Sequence, residues 1–169
     1  MLTGLLRYVA KSLKEQKDDK DPLKIRIALF FDGTLNNRVN IEEREGNTDI
    51  YKMNRTIDSN SYDNGRTNIA IMEPHVEETA DNYDFFHKAY IAGQGAISLK
   101  KDSMVGYGAG GGISGVADRA EEGVREAVQF ISKKIDRSRF YIEKLTLDVF
   151  GFSRGAVTAR KFINDALFG

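Results

Sequence analysis

"EKLTLDVFGFSRGAVTARKFINDALF", residues 143–168, decides the fold. Residues 143–150 are rich in β-branched, aromatic and aliphatic side chains, which predicts a strand. Residues 154–168 follow as an amphipathic helix, with Ala156, Val157, Phe162, Ile163 and Leu167 available for packing. Between them lies Gly-x-Ser-x-Gly, with Gly151, Ser153 and Gly155 at the fixed positions. The letters alone are weak, but a strand entering the motif and a helix leaving it form the setting of a nucleophile elbow. Such a turn strains the serine backbone and lifts its Oγ off the carboxyl end of the sheet. Flanking positions that approach other backbone require glycine. The N–H of Arg154, at the helix N-terminus, is placed to donate to a developing oxyanion. Ser153 is therefore the candidate nucleophile.

Working outward, "LKIRIALFF" (23–31) is nearly continuously apolar, as a strand covered on both faces should be. "FFHKAYIAG" (85–93) reads as another strand. Ile113, Val116, Ala117, Ala120, Val124, Ala127, Val128, Ile131 and Ile135 mark one stripe of a long helix. "TNIAIMEPHVEETA" (67–80) predicts a weaker helix interrupted by Pro74, and residues 33–66 read as a long polar loop with a short helix near 40–46. Residues 93–115 read as a glycine-rich loop. Residues 1–21 are expected to hold an amphipathic helix (Leu2, Leu5, Leu6, Val9, Leu13) and a charged linker, and residues 22–169 the main unit. Strands alternating with helices predict the α/β class: a parallel-sheet, three-layer sandwich of about three strands with flanking helices.

Composition narrows the function. The 25 basic and 25 acidic residues of this 169-residue chain balance, so there is no electrostatic footprint for nucleic acid. The absence of cysteine removes disulfides, thiolate nucleophiles and thiolate metal sites. No run approaches the length of a membrane span, and the N-terminus lacks the features of a signal peptide. The carboxylates are scattered and the two histidines stand apart, so no metal or other cofactor is expected.

"FFDGTLNN" (30–37) poses a choice. Haloacid-dehalogenase phosphatases carry Asp-x-Asp-Gly-Thr, with the first aspartate as nucleophile. Phe30 stands at that position, which argues against phosphoryl transfer. A serine elbow needs a second oxyanion donor from the loop after a neighbouring strand. Asp32, Gly33 and Thr34 fit that place, the aspartate bracing a turn whose N–H groups face the substrate. "GYGAGGGISG" (106–115) also matches Gly-x-Gly-x-x-Gly at Gly106, Gly108 and Gly111, but the match is nearly free in so glycine-rich a run, and a loop at the site rim is expected.

"FFDGTLNN", "TNIA" (67–70), "YIAGQGA" (90–96), the glycine-rich loop and "GFSRGAVTAR" (151–160) occur in the order seen in the catalytic domain of type VI secretion phospholipase effectors, which this chain resembles over residues 23–168. Those effectors are α/β-hydrolases. The resemblance implies hydrolysis of phospholipid or other carboxylic esters, with Ser153 as nucleophile. It also implies an antibacterial toxin held in the bacterial cytoplasm before delivery, a secretion spike protein that carries it, and an immunity protein. The chain departs from the family where the triad should close. Sixteen residues follow Ser153, with Asp165 and no histidine, while His75 and His87 precede it and read as structural. The expectation is the N-terminal portion of a hydrolase. Its catalytic Asp and His would be missing, leaving little activity alone and an open sheet edge prone to self-association or to pairing with a missing C-terminal segment. The competing reading is a non-catalytic remnant or binding module that keeps the fold.

Overall fold

The computed structural model describes residues 19–55, 60–77, 82–103 and 114–168. The expected N-terminal helix and the glycine run at 106, 108 and 111 lie outside them. The elements are β1 (Asp21–Phe31), α1 (Arg38–Glu45), α2 (Asp49–Asn54), α3 (Asn60–Asp63), α4 (Asn68–His75), β2 (Phe85–Ile91), α5 (Val116–Lys134), β3 (Phe140–Gly151) and α6 (Arg154–Phe168).

The three strands form one sheet in the order β2-β1-β3, and both pairings are parallel. The apolar run of β1 explains its central place. Its odd-numbered side chains Leu23, Ile25, Ile27, Leu29 and Phe31 pack beneath Ala120, Val124, Ala127 and Ile131 of α5 and Ala159, Phe162 and Ala166 of α6. On the opposite face Ala28 and Phe30 pack with Ile69 and Met72 of α4. Helices thus cover both faces, giving the α/β three-layer arrangement. The chain steps from β1 out to β2, then back across β1 to β3. Successive right-handed crossovers in opposite directions place their helices on opposite faces, as seen for α4 and α5. The reversal between β1 and β3 is a topological switch point, where parallel sheets open a crevice at their carboxyl ends.

Two expectations are corrected. Residues 33–66 hold, besides loop and the short helix expected near 40–46 (α1), two further short helices, α2 and α3. The three lack a visible apolar period because each is eight residues or shorter, and side-chain caps start the first two. Asn37 accepts from the N–H of Val39 and Asn40, and Thr48 from that of Tyr51. Buried Asn40 then ties α1 to its surroundings, donating to Ser61 Oγ (2.9 Å) and the Ile97 carbonyl (3.0 Å) and accepting from the Leu99 N–H (2.7 Å). The helix predicted to reach residue 80 ends at His75, directly after Pro74.

Candidate functional site

Three turns meet beyond the carboxyl ends of the strands: residues 32–36 after β1, 92–96 after β2 and 151–155 after β3. Their approach is close enough to dictate sequence. A Cβ on Gly155 would lie 2.3 Å from the Phe31 carbonyl oxygen and 2.4 Å from that of Asp32. A Cβ on Gly151 would lie 2.7 Å from Ala156 Cα. One on Gly93 would overlap the Gly33 carbonyl at 1.6 Å. Each position is open only to a residue without a side chain.

Ser153 joins β3 to α6 with φ of 52°, in the left-handed region that L-residues seldom adopt. The Phe152 N–H is held by the Phe31 carbonyl (3.1 Å), and the Gly155 N–H by the Phe152 carbonyl (2.8 Å). The turn is therefore fixed on both sides of the serine, which is exposed. Arg154 follows as the first residue of α6, at the positive end of its backbone dipoles.

Asp32 is buried at 1% exposure, and three donors converge on its carboxylate. They are the Gly33 N–H (2.7 Å), Thr67 Oγ1 (2.7 Å) and Tyr90 Oη (2.6 Å). Thr67 also caps α4 by accepting from the Ala70 N–H, and Tyr90 Oη accepts from the Arg38 N–H. The carboxylate thus joins the turn after β1 to the starts of α4 and α1. Burial raises its pKa against the opposing pull of these donors, and burial raises that of Tyr90 as well. Of the two N–H groups expected to face substrate, that of Gly33 is taken by Asp32. That of Thr34 meets no acceptor among the described residues. Phe30, at the phosphatase nucleophile position, is fully buried and stacks on Phe150 at 4.8 Å.

Gln94 clasps the three turns together. Its carbonyl accepts from the Leu35 N–H (2.9 Å) and its Nε2 donates to Thr158 Oγ1 of α6 (2.5 Å). Thr34 Oγ1 approaches its Oε1 at 3.5 Å. Gln94 and Thr158 are both buried. Sequence reasoning assigned no role to Thr67, Tyr90, Gln94 or Thr158. Their signal was their presence inside "TNIA", "YIAGQGA" and "GFSRGAVTAR", and the partners are 35 to 64 residues apart.

Neither histidine approaches the elbow. His87 pairs with Ile27 in mid-sheet, four residues before the end of β2, and its ring stacks on Phe130 at 4.5 Å. That places it about 13 Å below the carboxyl end and two strands from β3. His75 closes α4, about 12 Å along the helix from the Thr67 that meets Asp32. Its Nδ1 lies 2.7 Å from the Ile71 carbonyl. Asp165 pairs with Lys161 near the far end of α6. Among the described residues no cluster of histidine, aspartate and glutamate could hold a metal, and no helix is long and apolar enough to cross a membrane. No family model, curated relative or solved structure matches the chain.

Proposed function

We propose that this chain carries the nucleophile half of a serine hydrolase acting on carboxylic esters, with Ser153 as the nucleophile. The observation that carries the reading is the left-handed backbone of Ser153 at a strand-to-helix junction, between two glycines that steric contact makes obligatory. A strained serine held this way serves no packing purpose, since its side chain points into solvent. In the reaction Ser153 Oγ attacks the ester carbonyl, and the N–H groups of Arg154 and Thr34 receive the oxyanion. Asp32 holds the Thr34 turn in place without touching substrate. Exposed Phe150 and Phe152 beside the serine favour esters with apolar chains, which accords with phospholipids. In this reading the base is supplied by polypeptide beyond these 169 residues, because neither histidine reaches the serine. Delivery by a type VI secretion apparatus, with spike and immunity partners, belongs to the same proposal through the sequence resemblance.

Fluorophosphonate labelling tests it. The 169-residue chain alone is expected to label negligibly. The longest natural polypeptide containing it is expected to label at Ser153 and to lose the label in Ser153→Ala. An unlabelled long form would leave the elbow as the remnant of a hydrolase, and strong labelling of the short chain would refute an external base.

A further inference from the structure

We infer that Gln94 and Thr158 are positioning residues for the oxyanion hole, a buried pair that locks the Thr34 turn to the Ser153 turn so that the N–H groups of Thr34 and Arg154 serve one oxyanion. The inference rests on the serine-hydrolase reading and deepens it. Each of the two turns contains an L-residue in the left-handed region. Leu35, next to Thr34, has φ of 54°, and Ser153, next to Arg154, has φ of 52°. Such backbone persists only where its surroundings hold it. Gln94 reaches both turns. Its main-chain carbonyl accepts from the Leu35 N–H at 2.9 Å, and its Oε1 accepts from Thr34 Oγ1 at 3.5 Å. Its Nε2 donates to Thr158 Oγ1 at 2.5 Å, and Thr158 Oγ1 donates in turn to the Arg154 carbonyl at 3.3 Å. Donor thus follows acceptor without a break from the Thr34 hydroxyl through the Gln94 amide and the Thr158 hydroxyl to Arg154.

Packing alone does not call for these two residues. Thr158 is fully buried on the helix face that also buries Phe162 and Ala166, and Gln94 is buried beside it. A buried amide and hydroxyl cost free energy unless they are paired, and an apolar pair of similar shape would fill the same space. What the polar pair adds is direction. An oxyanion donor must lie about 2.7–3.1 Å from the oxygen it stabilises, and a misplacement of about 1 Å costs on the order of a hundredfold in rate. Both side chains are hidden from substrate, so each acts through the turn it holds.

Turnover of a p-nitrophenyl ester by the longest natural polypeptide containing this chain tests the role. Thr158→Val keeps the shape and removes the hydroxyl. It is expected to lower kcat about tenfold or more at unchanged KM, and Thr158→Ser to recover most of that loss. Thr158→Val combined with Gln94→Leu removes both partners. That double variant is expected to regain the thermal stability that Thr158→Val alone loses, while its kcat stays low. Recovery of kcat together with stability would reduce the pair to packing and overturn the inference. So would an unchanged kcat in Thr158→Val, or a Thr158→Ser as slow as Thr158→Val. The 169-residue chain gives a readout that needs no turnover. Its Thr34 amide resonance is expected to move in Thr158→Val and to ignore that change in the Gln94→Leu background. A Thr34 amide unmoved by Thr158→Val would overturn the coupling. A long wild-type polypeptide that neither turns over ester nor labels at Ser153 would refute the hydrolase reading instead, and the resonances would still decide whether the pair couples the turns.

Discussion

Ser153 holds a φ of 52° while its side chain faces solvent, so its conformation is not repaid by local packing. A left-handed L-residue costs roughly 1–2 kcal/mol, part of which glycine returns through the entropy of the unfolded chain. Ser153→Gly is therefore expected to stabilise the fold by about 1 kcal/mol in urea denaturation, whereas a surface serine elsewhere would lose stability on the same change. A destabilised variant would show that the turn is unstrained. Asp32 is the opposite case, a group that holds the site and is hidden from it. Burial lifts its carboxyl above the ordinary aspartate range. An acid raised in the folded state carries no ionisation penalty below its unfolded pKa, and the penalty grows as pH rises through the folded value. The stability of Asp32→Asn relative to wild type is thus expected to improve as pH climbs out of the carboxylate range, and a pH-independent difference would contradict it. The strand-to-helix turn at Ser153 could be read from sequence because its motif is contiguous. The partners of Asp32 could not, because Thr67 and Tyr90 reach it across 35 and 58 residues.

Elements meet at this site through absent side chains. A Cβ at Gly155 would strike two backbone carbonyls of the β1 terminus, and backbone cannot move aside as a flexible side chain can. Gly155→Ala is expected to cost about 3 kcal/mol or more by separating α6 from β1. Gly65→Ala, with nothing within 4 Å of the new methyl, should change stability by less than about 0.5 kcal/mol. Equal effects at the two positions would mean that the turns are not in contact. The strands and the two long helices could be read from the sequence, since each carries its own periodicity over enough residues to show it. Of the helices of residues 38–63 only the first, expected near 40–46, could. Their folding rests on caps at Asn37 and Thr48 and on the buried amide of Asn40, and none of these depends on an apolar stripe.

At the scale of the whole molecule, that difference in support predicts an order of opening. β1 has strand partners on both sides and side chains buried on both faces, so its amides can exchange only when the sheet comes apart. The helices α1, α2 and α3 are eight, six and four residues long, too short to persist alone in water. They hold on largely through buried polar contacts, including Asn37 to Ser98 and Ser61 to Asp102. Such contacts contribute modestly in net terms and can be replaced by water once the segment lifts. The parallel order β2-β1-β3 follows from alternating elements and from β1 being the most apolar strand. The unequal stability across the molecule arises from contacts between residues far apart in the chain, which no local pattern displays. Native-state hydrogen exchange in low urea is therefore expected to release the amides of residues 38–63 as one sub-global unit, well before those of residues 25–31. Asn40→Ala should lower the opening free energy of that unit while leaving the β1 amides at the global limit. Exchange of both segments in a single step would instead make the capping helices an integral part of the sheet's cooperative core. The turn bearing Asp32 and Thr34 would then owe its rigidity to the whole fold and not to the three hydrogen bonds on one carboxylate.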